Sequence, residues 1–433
     1  MRVFLVGFLT LWAGSLAGGQ EATKTGGGQS PPCTPAEAAK RVNEEVVVEM
    51  RVNSTGGVRN SYLNSASDFS QAANFAIFIP ETARMQFAEA GIAKPDEHYY
   101  GKTIQVTGKV VLARDRPRIV VNEPGQIKVL EGQSGPAVRK RTHIYKQVGG
   151  LDVRADSYNF TDQARQPVIV WIHGGALISG HRESFPAWLM QAAREQGCAL
   201  VSIDYRLAPE TQLPEIIEDL EDAFRWIREK GPELFQADGT RVAAVGGSAG
   251  GYLALSAGQR VQPRLAAVVS LWGYGDLIGS WYSAPSPHPR HQQIKMPADE
   301  AWAQVSGEPV SDSRERRGNG GAFYQFCRQQ GLWPKAVSGW DPKNEAEKFA
   351  PFMPVKNVTA DYPPTLLIHG DRDTDVPHEQ SEMMAAEFKR LGVQHRLISV
   401  AGAEHGLAGG GEQAVSDAYR AAREFLRERL RAR

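Results

Sequence analysis

A short β-prone run, Arg241-Val242-Ala243-Ala244-Val245, meets Gly246-Gly247-Ser248-Ala249-Gly250-Gly251, and Tyr252-Leu253-Ala254-Leu255-Ser256-Ala257 then reads as a helix. A serine between a strand and a helix has to sit on a sharp turn. Small neighbours permit that turn and leave Oγ exposed above the sheet. The helix that follows points its free N–H groups and its positive dipole end at the hydroxyl. A glycine-rich strand–helix turn with an ordinary serine would look the same, so this stretch alone does not separate chemistry from architecture.

A second segment breaks the tie. Pro167-Val168-Ile169-Val170-Trp171-Ile172 reads as a buried strand and runs into His173-Gly174-Gly175. Acyl transfer builds negative charge on a carbonyl oxygen. Backbone N–H groups aimed at that oxygen stabilise it, and losing one typically costs about 3 kcal/mol. Adjacent glycines let the main chain come close enough. The expected donors are the N–H groups of Gly174, Gly175 and Ala249, with His173 tying the loop rather than taking part in chemistry.

An acid and a base complete the set. The strand Pro364-Thr365-Leu366-Leu367-Ile368 is followed by Asp371, Asp373 and Asp375, and acids beyond the carboxyl end of such a strand face the site. Spacing does not choose among the three. His405 follows the strand His395-Arg396-Leu397-Ile398-Ser399-Val400, in a loop from which it can reach the serine as general base. One carboxylate on its Nδ1–H would fix the tautomer and stabilise the imidazolium.

The order serine, acid, histidine is that of α/β-hydrolases. At these residues the chain resembles the α/β-hydrolase esterases, above all the hormone-sensitive-lipase-like and acetyl-esterase-like branches. Asp204-Tyr205-Arg206-Leu207-Ala208-Pro209-Glu210 is similar to the segment those branches carry after their third strand, and the resemblance runs from Thr142 to the C-terminus. The family pattern His-Gly-x-x-Asp-x-x-Val-Pro recurs as His369 to Pro377, which implies Asp373 as the acid with Asp375 in reserve. Ala176 stands where a third glycine is usual, and Gly247 where an aspartate often precedes the nucleophile. The acid motif looks more like that of feruloyl-esterase-like and peptidase-like hydrolases. The resemblance implies a three-layer α/β sandwich around a mostly parallel sheet, and chemistry without metal or organic cofactor.

With 433 residues the chain exceeds one typical domain, so two are expected. Lys+Arg and Asp+Glu both number 49, which argues against an overall field for nucleic acid or an anionic membrane. Cys33, Cys198 and Cys327 are too few for a disulfide framework and lack metal-ligand spacing; Cys198 is expected in the core and Cys33 in a tail. No phosphate loop or dinucleotide fingerprint is present.

Residues 1–19 read as an export signal: Arg2, the apolar run Val3 to Ala13, and a cleavage site at Ser15-Leu16-Ala17 or Ala17-Gly18-Gly19. The run is short for a bilayer span, so no membrane span is expected after its removal, and the protein would be periplasmic or extracellular. An uncleaved anchor is the alternative. Residues 20–37 read as a linker. Asn53-Ser54-Thr55, Asn159-Phe160-Thr161 and Asn357-Val358-Thr359 fit glycosylation sequons.

Residues 38–132 read as a small all-β domain of five or six strands with a helix at Glu81 to Ala90. That content suits an OB-like barrel, and the run Gly101 to Val110 resembles such domains. Its mixed charge, with no aromatic ladder among basic residues, favours a glycan or protein partner over nucleic acid. Residues 140–433 form the expected hydrolase domain, with a cap insertion at about 272–351. Trp272, Tyr274, Trp281, Tyr282, Trp302, Trp333 and Trp340 lie in that insertion, most of them expected to form its own core. An amphipathic helix from Glu412 closes the chain, with Val415, Ala418, Ala422, Phe425 and Leu426 toward the sheet.

The sequence thus points to an exported serine carboxylesterase acting on short-chain or sugar-linked esters of acetyl or feruloyl type. One rival is a prolyl-oligopeptidase-like peptidase, although the N-terminal region is far too short for the usual propeller. The other is a binding protein on a hydrolase scaffold, which would typically lack one of the three catalytic residues.

Overall fold

The computed structural model describes residues 31–56, 60–66, 73–113, 116–130 and 138–431. The expected export signal and the first part of the linker lie outside the described residues.

Seven strands make up the N-terminal unit: β1 (Glu45–Arg51), β2 (Ser54–Gly56), β3 (Ser61–Asn64), β4 (Ala76–Ile79), β5 (Thr103–Ala113), β6 (Arg116–Val120) and β7 (Ile127–Val129). Their order is β1-β5-β6-β4-β3-β2, with β7 added on β5. Only Val52 and Asn53 separate β1 from β2, so the path ends on the stretch of chain where it began. Alternation along the strands sends Val46, Val48, Ile77, Ile79, Ile104 and Val106 into one apolar core. The expected helix is a 3-10 turn, Glu81–Ala83, running into Arg84–Glu89; a second short helix, Pro95–Tyr99, starts on its proline.

The expected linker ends too late. Residues 31–37 are ordered, because Cys33 pairs with β1 through Cys33 N–H to Val47 O (2.8 Å) and Glu49 N–H to Cys33 O (2.9 Å). Thr34 and Glu37 then form a reciprocal capping box around the turn Pro35–Ala38. Cys33 therefore lies on the folded unit and not in a tail.

The second sheet has eight strands: β8 (Arg139–Val148), β9 (Leu151–Asn159), β10 (Gln166–Ile172), β11 (Ala199–Ile203), β12 (Ala237–Gly247), β13 (Ala267–Leu271), β14 (Thr365–Gly370) and β15 (His395–Val400). The order is β15-β14-β13-β12-β10-β11-β9-β8. From β15 to β11 every neighbour is parallel, and the β8–β9 hairpin adds antiparallel. A parallel sheet must be covered on both faces, and its strands alternate accordingly. Val168, Val170 and Ile172 enter the core under the helices Leu213–Glu229, Ala249–Arg260 and Glu379–Arg390. Ile169 and Trp171 enter the other, under Ala187–Glu195 and Glu412–Leu430. In that last helix Ala418, Ala422 and Leu426 are buried, while Val415 and Phe425 pack beside them half-buried.

Between β13 and β14 the insertion folds into short helices, of which Pro289–Gln292, Gly321–Gln330 and Trp333–Ser338 matter below. Its aromatics pack on each other: Trp281 stacks on Tyr282 with centroids 3.6 Å apart, and Tyr282 on Trp333 at 3.9 Å. Tyr274, Tyr282 and Trp333 are fully buried, but they are continuous with the core under the sheet, Tyr274 stacking on Tyr252 at 5.1 Å, so the insertion does not have the separate core expected of it. Cys198 and Cys327 are buried and unbridged. Among the described residues no helix is long and apolar enough to cross a membrane.

Candidate active site

Ser248 occupies the single residue between β12 and the helix Ala249–Arg260, at φ 57° and ψ −121°. Such a conformation costs on the order of 1–3 kcal/mol for a side chain with a Cβ and persists only when its surroundings enforce it. Here they do. Ser248 N–H donates to Leu271 O (2.9 Å) and Ser248 O accepts from Tyr252 N–H (3.0 Å). Gly250 must be glycine, since a Cβ there would sit 2.0 Å from Ile172 O. The helix can therefore start directly against β10, and Ser248 stays half-buried between fully buried neighbours.

The loop after β10 closes on this turn. A Cβ on Gly174 would lie 3.3 Å from Ser248 Cβ and 2.7 Å from Gly247 O, so the bare Gly174 backbone rests on the serine. Among the described residues no acceptor takes the N–H of Gly174, Gly175 or Ala249. Gly174 rests on the serine and Ala249 follows it directly in the chain. His173 is buried, stacks on Tyr205 at 4.3 Å and donates from Nδ1 to Gly174 O (2.8 Å). Burial pushes its imidazole down to about 4, so it stays neutral and ties the loop.

The segment Asp204 to Glu210 buttresses this loop from behind. Tyr205 OH donates to His173 O (2.9 Å) and Ala208 N–H to Leu177 O (2.8 Å). Asp204 receives both the Arg182 N–H and its guanidinium, each at 2.6 Å, and the same guanidinium lies 3.1 Å from buried Asp156. Ala176, in the place of the usual third glycine, adopts φ 56°, and its carbonyl is held by Trp333 Nε1–H of the insertion (2.8 Å).

On the other side, the loops after β14 and β15 bring an acid to His405. Its Nδ1–H donates to Asp373 Oδ2 at 2.7 Å. Asp373 Oδ1 accepts the N–H groups of Asp375 and Val376, both at 2.9 Å. Buried His369 also donates from Nε2, to Asp373 Oδ2 (3.2 Å) and Val376 O (3.0 Å), while Ser381 Oγ donates to its Nδ1 (2.7 Å). Burial opposes ionisation of Asp373, but the hydrogen bonds from His369 and His405 outweigh it and hold the carboxyl at about 2.

The three acids that spacing left open thus occupy different places. Asp371 is exposed and binds Gly402 N–H (2.7 Å), tying loop to loop. Asp373 holds His405. Asp375 turns toward the insertion, where Oδ1 accepts from Tyr324 OH (2.6 Å) and His291 Nε2–H (3.1 Å). Trp272 joins the two halves of the site, its indole against Gly247 and its ring edge-on to His405 at 6.3 Å.

Sequence reasoning did not single out Ser381, His291 or Tyr324, and it named Trp333 only among the aromatics expected in the core of the insertion. Ser381 lies four residues beyond the His-Gly-x-x-Asp-x-x-Val-Pro segment that places His369 and Asp373. His291 and Tyr324 lie in the insertion, where nothing periodic marks them.

A mostly parallel sheet with a serine on a strand–helix turn, and an acid and histidine after its last two strands, is the arrangement of the α/β-hydrolase fold. The chain belongs to the α/β-hydrolase fold family, whose model matches residues 169–409, more than half of its length. It is 27% identical over 375 residues to the non-reducing polyketide synthase adrD of Penicillium rubens, a match covering 72% of this chain and 15% of that much longer protein. It is 29% identical over 262 residues to the probable carboxylesterase M8 of a Phoma species, covering 56% of this chain and 80% of the relative. Among solved structures, the thermostable carboxylesterase EstE1 from a metagenomic library shares the fold, with a TM-score of 0.50 at 23% identity over 69% of this chain and 91% of that one.

Proposed function

We propose that this protein is a serine carboxylesterase working through an acyl-enzyme. His405 Nε2 takes the proton of Ser248 Oγ as the serine attacks the ester carbonyl. Asp373 keeps the Nδ1–H tautomer and stabilises the imidazolium. The N–H groups of Gly174, Gly175 and Ala249 hold the oxyanion. The imidazolium then gives its proton to the departing alcohol, and water hydrolyses the acyl-enzyme by the same route.

The observation that carries this reading is the 2.7 Å contact of His405 Nδ1 with Asp373. It leaves Nε2 as the nitrogen for proton transfer, in a molecule whose strained turn presents a serine. Short-chain or sugar-linked esters, acetyl or feruloyl, are the proposed substrates. Hydrolysis of p-nitrophenyl esters of increasing acyl length, for wild type and Ser248→Ala in parallel, tests it. Activity highest at acetyl and reduced roughly 10,000-fold or more in the variant is the expected result. Near-wild-type turnover by Ser248→Ala would overturn the assignment.

The N-terminal unit is read as an OB-like barrel that binds a glycan or a protein. The return of its strand path to its starting stretch, and the helices between β4 and β5, support that reading. On the reading of residues 1–19 as a signal, the enzyme works outside the cytoplasm. Retention of the full chain on polysaccharide columns, lost when residues 38–132 are deleted, would support a glycan partner.

A further inference from the structure

Asp373 accounts for one nitrogen of His405. The other nitrogen, Nε2, has a carboxylate of its own: Asp375 Oδ2 lies 3.9 Å away. Asp375 is not free to turn from it. Its Oδ1 takes both donors from the insertion, Tyr324 OH at 2.6 Å and His291 Nε2–H at 3.1 Å, which leaves Oδ2 for the imidazole. Those donors are fixed in turn. Ser286 Oγ donates to His291 Nδ1 (2.8 Å), and Gln329 Nε2 to His291 O (2.7 Å). Asp375 N–H donates to Asp373 Oδ1 (2.9 Å), so the two acids are held in one frame.

We propose that Asp375 is a positioning residue for the charged form of His405, and that the insertion sets it in place. The proposal rests on the reading of His405 as the base. During attack the proton arrives on Nε2, and a fixed carboxylate beside that nitrogen favours the cation.

The neighbouring charges fit this role. Arg328, one turn after Tyr324 on the same helix, is buried with its guanidinium over the Tyr282 ring at 4.9 Å. Among the described residues it makes no ion pair with Asp375, so Asp375 is not consumed by it. Burial opposes the Asp375 charge, yet His291, His405, Arg328 and Tyr324 together hold its carboxyl well below the usual range. Around His405 the remaining charged or titratable groups are Asp373, buried His369, and the half-exposed pair Arg290–Glu404 at 3.5 Å. Asp375 is the acid paired with Nε2, as Asp373 is with Nδ1.

Asp375→Asn keeps an acceptor for Tyr324 and His291, removes the charge and turns an amide donor toward Nε2, both of which favour the neutral imidazole. The acid limb of kcat/KM should then move to lower pH by about one unit, because losing an anion makes the imidazolium easier to deprotonate. At the plateau kcat should fall about tenfold with KM little changed. The second measurement is the NMR titration of the His405 ring in the Ser248→Ala background, with and without Asp375→Asn, which needs no turnover. Its midpoint should fall by the same unit. Tyr324→Phe, which loosens the carboxylate without removing it, should shift the midpoint in the same direction by less, and serves if Asp375→Asn does not fold. An unmoved midpoint, or one that rises, overturns the proposal. Undiminished activity of Ser248→Ala would instead overturn the esterase reading.

Discussion

The two sides of Ser248 are held by different physics. On the oxyanion side, the loop from His173 to Ile178 is fixed by bare-backbone contacts and by buried pairs such as Arg182–Asp204 at 2.6 Å. Its one histidine stays neutral. On the acid–base side, Asp373, His405, His369, Asp375 and His291 hold one another through hydrogen bonds whose strength depends on protons. The first side supplies an immovable donor set. In the proposed mechanism the second is the part that changes charge in every cycle, and it is built from groups that can.

That contrast can be broken by experiment. Asp373→Asn should lower kcat about 10,000-fold, because the asparagine can favour the wrong tautomer of His405. It should also distort the pH profile, read from kcat/KM between pH 5 and 9. Gly174→Ala should cost about 100- to 1,000-fold in kcat by pushing the donor loop off the serine. Its pH profile should keep the wild-type shape; a displaced acid limb in that variant would show the two sides to be coupled.

The smallest effect is on stability. Asp373 has a depressed pKa, from 3.8 to about 2, so its contribution is present above pH 4 and lost as pH falls toward 2. The loss should amount to about 2 kcal/mol. Urea unfolding at pH 6 and pH 3 would capture about half of it, about 1 kcal/mol, because the folded carboxyl is still largely ionised at pH 3, with Asp373→Asn as the variant that lacks this component.

Much of this was legible in the chain. Strand runs followed by glycines are local signals, and they located Ser248, the Gly174–Gly175 loop and His405. The choice among Asp371, Asp373 and Asp375 was not local. Three acids at alternate positions all follow the same strand, and only the path of the β15 loop decides which one meets His405. The family pattern resolved what spacing could not. His291 and Tyr324 were out of reach of either argument. They lie 84 and 51 residues from Asp375, on short helices whose apolar positions serve an aromatic core rather than a repeating face. The ordered stretch at Cys33 was hidden by its composition, although Thr34-Pro35-Ala36-Glu37 carries a capping signature.

The strand β8, at the end of the larger sheet, has a consequence for solubility. Ten residues long, it offers one side of its backbone to any other extended chain. A bare edge of that length is a template for intermolecular pairing. Arg139, Lys140 and Lys146 are ion-paired with Asp162, Glu183 and Asp222, and Arg141 holds Leu234 O. A second copy approaching edge to edge would meet these long, anchored polar side chains, so the strand that completes the sheet also insulates it against growing into a neighbour's.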